Sequence, residues 1–372
     1  MSTALTDLNL GVGVAAHGHD EHLARTLEAV DAVLTEAGVI PTARVVAASD
    51  GSFAAERIAA EHGWSFRRIS PGVPRTLAAA REAARRAAGG DAQLLLDGDV
   101  ALQAGWLAEG VQLLREHERL AGVSGRIDEA HWRAGALVGG RHDVYGTGAG
   151  GPAGVLREAG LWRRSALDAV GGFDPWLASE DEAELTGRLS MAGLGLSALG
   201  RSIAVRHGAS RDSFGDVRSF LKDGRMSGPG LALRRSRGSM AFPRHIVRYR
   251  GALLLFLWIV AGGVSVFLGK DGGPVMVWLW ASAGLLVFFA VLQQSLPRAF
   301  WRGVKSLLVA VSVVRTLALP FGRGRLGMPP RPIAPPREGD SEEARAAGGG
   351  GGMPFRAAPR DPDEPPPLVP GR

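Results

Sequence analysis

The sequence predicts an α/β domain followed by membrane helices, on three observations. Residues 8–128 alternate short apolar runs with helical patterns, the mark of βα units building a mostly parallel sheet. Two long apolar stretches, Leu253 to Leu268 and Val275 to Leu296, come later in the chain. From Phe321 onward proline, glycine and charge dominate, leaving too few apolar side chains to offset the entropy of ordering.

The first strand covers Leu10 to Ala15, and Leu23, Leu27, Val30 and Leu34 then recur at helical spacing. Arg44 to Ala48 reads as a second strand. It ends at Ser49-Asp50-Gly51-Ser52, cap and turn residues that lead into a helix through Ile58. Ser65 to Ile69 is a third strand. A helix from Thr76 to Ala88 stops at Gly89-Gly90, and Gln93 to Leu96 is a buried strand ending in Asp97-Gly98-Asp99. Trp106, Leu107, Val111 and Leu114 mark another helix. Arg141 to Gly154, rich in glycine, reads as a mobile loop. Val155 to Trp162, a turn at Gly171-Gly172-Phe173-Asp174, a helix from Glu180 to Met191 and a strand ending near His207 complete the domain.

Each apolar stretch is long enough, at about 1.5 Å per residue, to cross or nearly cross a hydrocarbon core of roughly 30 Å. Arg234, Arg235, Arg237, Arg244, Arg248 and Arg250 precede the first, and Arg298, Arg302 and Lys305 follow the second. Lys270-Asp271-Gly272-Gly273 joins them in a near-neutral hairpin. Basic flanks on one side place the N-terminal domain in the cytoplasm of a multi-pass membrane protein. The expected organisation is a domain at 1–235, a basic juxtamembrane segment at 236–250 and two transmembrane helices within 251–296. An interfacial or third membrane helix at 304–320 and a disordered tail at 321–372 follow.

The formal charge of +6 comes from arginines beside the apolar stretches rather than from a separate basic face, so membrane topology accounts for it without a nucleic-acid partner. With no cysteine, disulfides and thiolate metal sites are excluded, and any metal must be held by oxygen or imidazole. Residues 1–10 lack the pattern of a cleaved signal peptide. Arginine outnumbers lysine and alanine and glycine are abundant, as in a GC-rich bacterial genome.

Ligands of open α/β sheets bind beyond the carboxyl ends of the strands, where Asp50 and the Asp97/Asp99 pair both fall. Two carboxylates one residue apart in a tight turn can share a hard cation, which neutralises a diphosphate leaving group. The same triplet also makes an ordinary solvated turn. Glu180-Asp181-Glu182 opens a helix, where the macrodipole favours negative charge with or without a functional role. Gly11-x-Gly13-x-x-Ala16 imitates a dinucleotide fingerprint, but the following helix starts too late for that geometry. His17, His19 and His22 read as ordinary loop and helix residues rather than a metal cluster.

Taken in order, these features resemble family 2 glycosyltransferases of the GT-A fold, from Leu10 to His207. Val14-Ala15-Ala16-His17-Gly18 through Leu27 is similar to that family's first strand and helix, with Ala15 where a proline and Gly18 where an asparagine is usual. Ala79-Ala80-Arg81-Glu82 is similar to its Ala-Arg-Asn helix, with Glu82 replacing asparagine. Leu94-Leu95-Leu96-Asp97-Gly98-Asp99 resembles its metal-site segment. Leu161-Trp162-Arg163-Arg164, Gly171-Gly172-Phe173-Asp174 and Glu180-Asp181 with Leu185 and Arg188 follow its second half.

The resemblance implies a UDP- or GDP-linked sugar donor and a divalent cation, Mg²⁺ or Mn²⁺. Asp50 would contact the nucleobase, Arg81 the nucleotide, Asp97 the ribose and metal waters, and Asp99 the metal directly. Asp181 would be the catalytic base of an inverting transfer, with Glu180 orienting the acceptor or the loop. His207 would bind the metal or diphosphate, or be structural, and Trp176 would stack on an acceptor sugar or pack in its loop. The spans and basic collar point to a lipid-linked or cell-envelope glycan acceptor at the membrane. Two other readings compete: a degenerate nucleotide-binding membrane scaffold, motivated by Ala15, Gly18 and Glu82, and a cation-dependent nucleotidyltransferase.

Overall fold

The computed structural model describes residues 9–18, 20–49, 52–133, 136–208, 213–237, 239, 241–268, 272–292 and 295–318. Asp50, His19, Lys270, Asp271 and the expected tail lie outside them. The first half of the domain runs β1 (Leu10–Ala16), α1 (Asp20–Ala37), β2 (Ala43–Ala48), α2 (Phe53–Glu61), β3 (Ser65–Arg68), α3 (Leu77–Ala88) and β4 (Ala92–Asp97). Local chemistry sets these boundaries. The Ser52 hydroxyl accepts from the Ala55 N–H to start α2, Thr76 does the same for Ala79 at α3, and Gly89 ends α3 at φ 65°.

β5 (Val100–Leu102) and α4 (Leu107–Glu116) lead into two long strands, β6 (Leu120–Arg133) and, later, β10 (Gly195–Gly208). Between them lie β7 (Ala136–Arg141), the short β8 (Gly151–Pro152), β9 (Ala159–Arg163), α5 (Arg164–Val170) and α6 (Asp181–Met191). The sheet order is β3-β2-β1-β4-β9-β6-β10-β5, with β7 on β6 and β8 on β10. The expected mostly parallel sheet holds for β3, β2, β1 and β4 and for the β6–β10 pair. β9 lies antiparallel to both β4 and β6, and β5 antiparallel to β10, so the sheet is mixed. The chain reaches β9 from the β7 hairpin without a crossover helix, and therefore arrives running the other way.

Both faces are buried. Leu94 and Leu96 of β4 join the larger core with Leu23, Leu27, Trp106 and Leu161, while Leu95 points oppositely into a core with Trp162, Phe173, Leu185 and Leu189. α3 presses closely on β1: a Cβ on Gly11 would stand 2.2 Å from the Ala88 carbonyl oxygen.

The segment expected to be a mobile loop is held by hydrogen bonds. The Asp143 carboxylate accepts from the backbone N–H groups of Thr147 and Gly148, both at 2.8 Å, and the Asp143 N–H donates to Asp128 at 2.9 Å. A carboxylate capping its own turn supplies the order that glycine content conceals.

Beyond β10 come α7 (Phe214–Lys222), a 3₁₀ turn at Arg225–Ser227, α8 (Gly228–Arg235), α9 (Ala241–Arg248), α10 (Arg250–Leu268), α11 (Gly273–Leu292) and α12 (Leu296–Ala318). Arg250–Phe267 and Gly273–Leu292 are long and apolar enough to cross a membrane. They pack through Trp258 and Trp278, whose rings stack at 6.4 Å, with Gly262 leaving room for the Trp278 ring. The second apolar helix ends at Leu292 rather than Leu296, because Leu296 and Pro297 open α12; proline is well tolerated in a first helical turn.

α12 is longer than the helix expected at 304–320 and is docked on protein. Val313 is fully buried with Leu233 of α8 and Tyr249, and the Gly230 N–H donates to the Ser312 hydroxyl at 3.3 Å. The boundary expected after residue 235 therefore runs through one packed cluster. We expect Gly11→Ala to destabilise the chain by about 1–3 kcal/mol, because α3 must lift from β1; thermal unfolding of the purified variant checks this.

Candidate active site

The carboxyl end of β4 carries Asp97, the middle of α3 carries Arg81, and α6 begins with Asp181 and Glu182. The fold brings all four together. Arg81 donates from Nε to Asp97 Oδ1 at 2.8 Å and from Nη2 to Oδ2 at 2.7 Å. Its Nη1 donates to Asp181 Oδ2 at 2.6 Å, and Nη2 lies 3.0 Å from Glu182 Oε1. Among the described residues, Oδ1 of Asp181 accepts no hydrogen bond. Burial alone would favour deprotonating the guanidinium, but Asp181, Asp97 and Glu182 outweigh it and hold Arg81 well above its ordinary value.

Burial pushes the Asp97 carboxyl up to about 8, against the pull of Arg81 and with added repulsion from Glu182 and Asp99. Glu182 is raised for the same leading reason, burial. Asp181, Glu182 and Glu184 occupy the first turn of α6, where the helix dipole favours negative charge.

A second guanidinium gathers the neighbouring acids. Arg206 of β10 donates to Glu129 of β6 at 2.7 Å, lies 3.4 Å from Asp99 Oδ2 and 4.0 Å from Glu158. The two networks meet where the Glu158 N–H donates to Glu182 at 2.7 Å and the Asp97 N–H to the Glu158 carbonyl at 2.8 Å. Asp97, Asp99, Glu129, Glu158, Asp181 and Glu182 thus face Arg81, Arg157 and Arg206, an excess of acid.

Asp99 and His207 are backbone neighbours, with the His207 N–H donating to the Asp99 carbonyl at 2.7 Å. The His207 ring is otherwise engaged. Its Nδ1 accepts from Trp132 Nε1 at 2.9 Å, and Arg25 Nη1 lies 3.3 Å away. Burial, then Arg25, His22 and Arg206, lower its pKa to about 4, so the ring is neutral and carries its proton on Nε2. That tautomer leaves no lone pair for a cation until the Trp132 bond is given up. Among the described residues, no three His, Asp or Glu side chains form a cation-holding group. The donor set fits a cation bound by one or two carboxylates and shared with substrate phosphates, rather than an all-protein cage.

Glu180, at the N-terminus of α6, has a left-handed backbone with φ 65°, unusual for a non-glycine residue and typical of strained functional loops. Its carboxylate accepts from Arg248 Nε at 3.0 Å, and burial raises its pKa. Trp176 is exposed in the loop before α6, with its N–H bonded to Asp174 Oδ1 at 3.0 Å.

The departure at Glu82 has a structural use. Its carboxylate accepts from Arg85 at 2.8 Å and from the Phe173 N–H at 3.0 Å, tying α3 to the Gly171-Gly172-Phe173 turn. Arg157, Glu158, Arg206 and Arg248 were not legible as site residues. The nearest signal was the alternation of Glu129 and His131 on one strand, which puts both on one face.

No protein-family model matches the chain, and no curated protein matches it. Among solved structures, it is similar to the mannosyltransferase PcManGT from Pyrobaculum calidifontis in complex with GDP-Man and Mn²⁺. The TM-score is 0.57 at 14% identity, over 85% of this chain and 88% of that one. It also matches GalNAc-T7 with UDP, GalNAc and Mn²⁺ at a TM-score of 0.42 and 15% identity, over 55% and 44% of the two chains. The first likeness shows that the two chains share a fold.

Removing Arg81 leaves three buried carboxylates without their partner, so Arg81→Met is expected to cost about 3–5 kcal/mol in a denaturant titration. Asp97 gives a pH dependence. With a folded pKa of about 8 against an ordinary 3.8, the folded chain holds a proton between those values that the unfolded chain has released. Stability therefore falls as pH rises through that window. Thermal melts from pH 5 to 8 should show a shallower decline in Asp97→Asn.

Proposed function

We propose that the chain is an inverting, cation-dependent glycosyltransferase that moves a sugar from a UDP- or GDP-linked donor to a lipid-linked or cell-envelope glycan acceptor at the cytoplasmic membrane face. The observation that carries the reading is the convergence of Asp97, Asp99 and Asp181 at one end of a GT-A sheet.

Asp181 is the base. Oδ2 is held by Arg81, which fixes the carboxylate, and Oδ1 takes the proton of the acceptor hydroxyl. The acceptor oxygen then bonds to the anomeric carbon as that carbon's bond to the nucleoside diphosphate breaks, and inversion follows from attack opposite the leaving group. Arg81 positions Asp97 and Asp181 together. Glu180 orients the acceptor-side loop, and Trp176, exposed beside it, offers a face for a sugar ring. Asp50 is assigned the nucleobase by resemblance.

An acidic site repels a diphosphate, so the excess of carboxylates supports a divalent cation. Asp99 would hold Mg²⁺ or Mn²⁺ together with the donor phosphates, with His207 a second ligand if it releases Trp132. When bound, the cation supplies charge neutralisation of the departing diphosphate. The scaffold reading loses one of its motives, since Glu82 is accounted for by folding.

The two apolar helices anchor the enzyme, and α12 lies at the interface, its Lys305 paired with Asp216 of α7 at 2.8 Å. In detergent with Mg²⁺ or Mn²⁺, the wild type is expected to release UDP or GDP from one nucleotide sugar. Asp99→Ala and Asp181→Asn should each lower the rate by at least about 100-fold. Metal-dependent nucleotide binding without release would support the scaffold instead, and absence of nucleotide binding would sink the proposal.

A further inference from the structure

Glu129 and His131 are buried on one face of β6 and take no part in the transfer described above. The Glu129 side chain is fully enclosed, and a carboxylate out of water must be paired. The sheet sets its partner. β6 and β10 run parallel in a register that places Glu129 against Arg206 and His131 against Gly208.

The two carboxylate oxygens of Glu129 are divided. Oε1 accepts from Arg206 Nε at 3.1 Å and from Nη2 at 2.7 Å, and Oε2 lies 3.2 Å from His131 Nε2. Arg206 reaches Asp99 with a different nitrogen, Nη1, at the longer distance of 3.4 Å from Oδ2. A Cβ on Gly208 would stand 3.5 Å from that Nη1 and 4.0 Å from Asp99 Oδ2, so glycine at this register position keeps a side chain away from both groups.

Arg206 competes for Asp99 as well as pairing with it. A guanidinium beside Asp99 supplies the positive charge that a divalent cation would otherwise supply, and a close two-point pair would take both carboxylate oxygens. Glu129 opposes that pairing in two ways. It holds Nε and Nη2, which keeps Arg206 back from Asp99, and its own charge offsets that of the guanidinium. Glu158, 4.0 Å from Nε, adds to the offset. The His131 contact fixes the direction of the Glu129 carboxylate.

We propose that Glu129 is a positioning residue for the cation: anchored by His131, it holds Arg206 and offsets its charge, so that Asp99 is left to a divalent cation rather than to a guanidinium. The proposal rests on the glycosyltransferase reading for the cation's use in transfer, but cation binding is measured without any transfer.

The test is Mn²⁺ binding to the full chain in detergent, followed by electron paramagnetic resonance of free Mn²⁺, with the metal alone and with UDP or GDP added. Asp99→Ala assigns the site by losing the binding. Glu129→Gln should weaken Mn²⁺ binding about tenfold, because Arg206 turns to Asp99 with its charge no longer offset. Arg206→Gln should bind Mn²⁺ at least as tightly as the wild type. The double variant Glu129→Gln, Arg206→Gln places a neutral pair at the same register position and should return to within about threefold of the wild type. A purely structural role for Glu129 would move the single and double variants alike. Unchanged binding in Glu129→Gln, a double variant no tighter than the single, or weaker binding in a folded Arg206→Gln would each overturn the proposal. Should Glu129→Gln fail to fold, Arg206→Gln and the double variant still decide. A wild type that binds no Mn²⁺ under any of these conditions would overturn both this proposal and the cation-dependent reading, whereas Mn²⁺ binding unaffected by Glu129→Gln would leave that reading standing.

Discussion

The buried guanidinium of Arg81 is the contact on which the active end of this domain depends. It joins β4, α3 and the start of α6 through Asp97, Asp181 and Glu182, with Asp181 100 positions away in sequence. Three carboxylates out of water would repel one another and unravel the end of the sheet. With Arg81 among them they form one rigid group, and Asp181 keeps a fixed direction. Arg206 repeats the device on the other side, gathering Asp99, Glu129 and Glu158. The surplus of acid makes a good site for a cation and a poor one for an unaccompanied anion.

This end of the sheet is also joined to the helices that precede the apolar pair. Ser179 donates to the Arg225 carbonyl at 2.7 Å, and a Cβ on Gly228 would meet Ser179 Oγ at 2.1 Å, so the loop before α6 is pressed onto the start of α8. Asp174 pairs with Arg235 at 2.8 Å, and Glu180 with Arg248 at 3.0 Å. The loop that carries the proposed base therefore rests on residues from the basic segment before α10. In such an arrangement the segment before α10 fixes the position of the loop before α6.

Local pattern made the first half of the fold legible. The helices at Leu77–Ala88 and Leu107–Glu116 and the strand at Ala92–Asp97 follow from apolar spacing and from Thr76 and Gly89 at their borders. The second half was less so. β6 and β10 are each 14 residues long and pair in parallel with register shifts near Ser202, and nothing within either strand names its partner. The loop after Arg141 looked mobile because glycine count is local, whereas the Asp143 contacts that hold it depend on where the chain folds back.

The sequence by itself determined the element types, the two apolar helices, the run of acids at strand and helix ends, and the order of motifs that resembles a glycosyltransferase. These are set by short-range spacing and by the chemistry of single side chains. Only the tertiary structure decided that β9 would enter antiparallel, that His207 would give its lone pair to Trp132, and that Glu82 would serve the fold. It also set Glu129 against Arg206. Those outcomes depend on which distant groups meet in a medium of low polarity, where an unpaired charge is too costly to leave and each buried acid must find its cation.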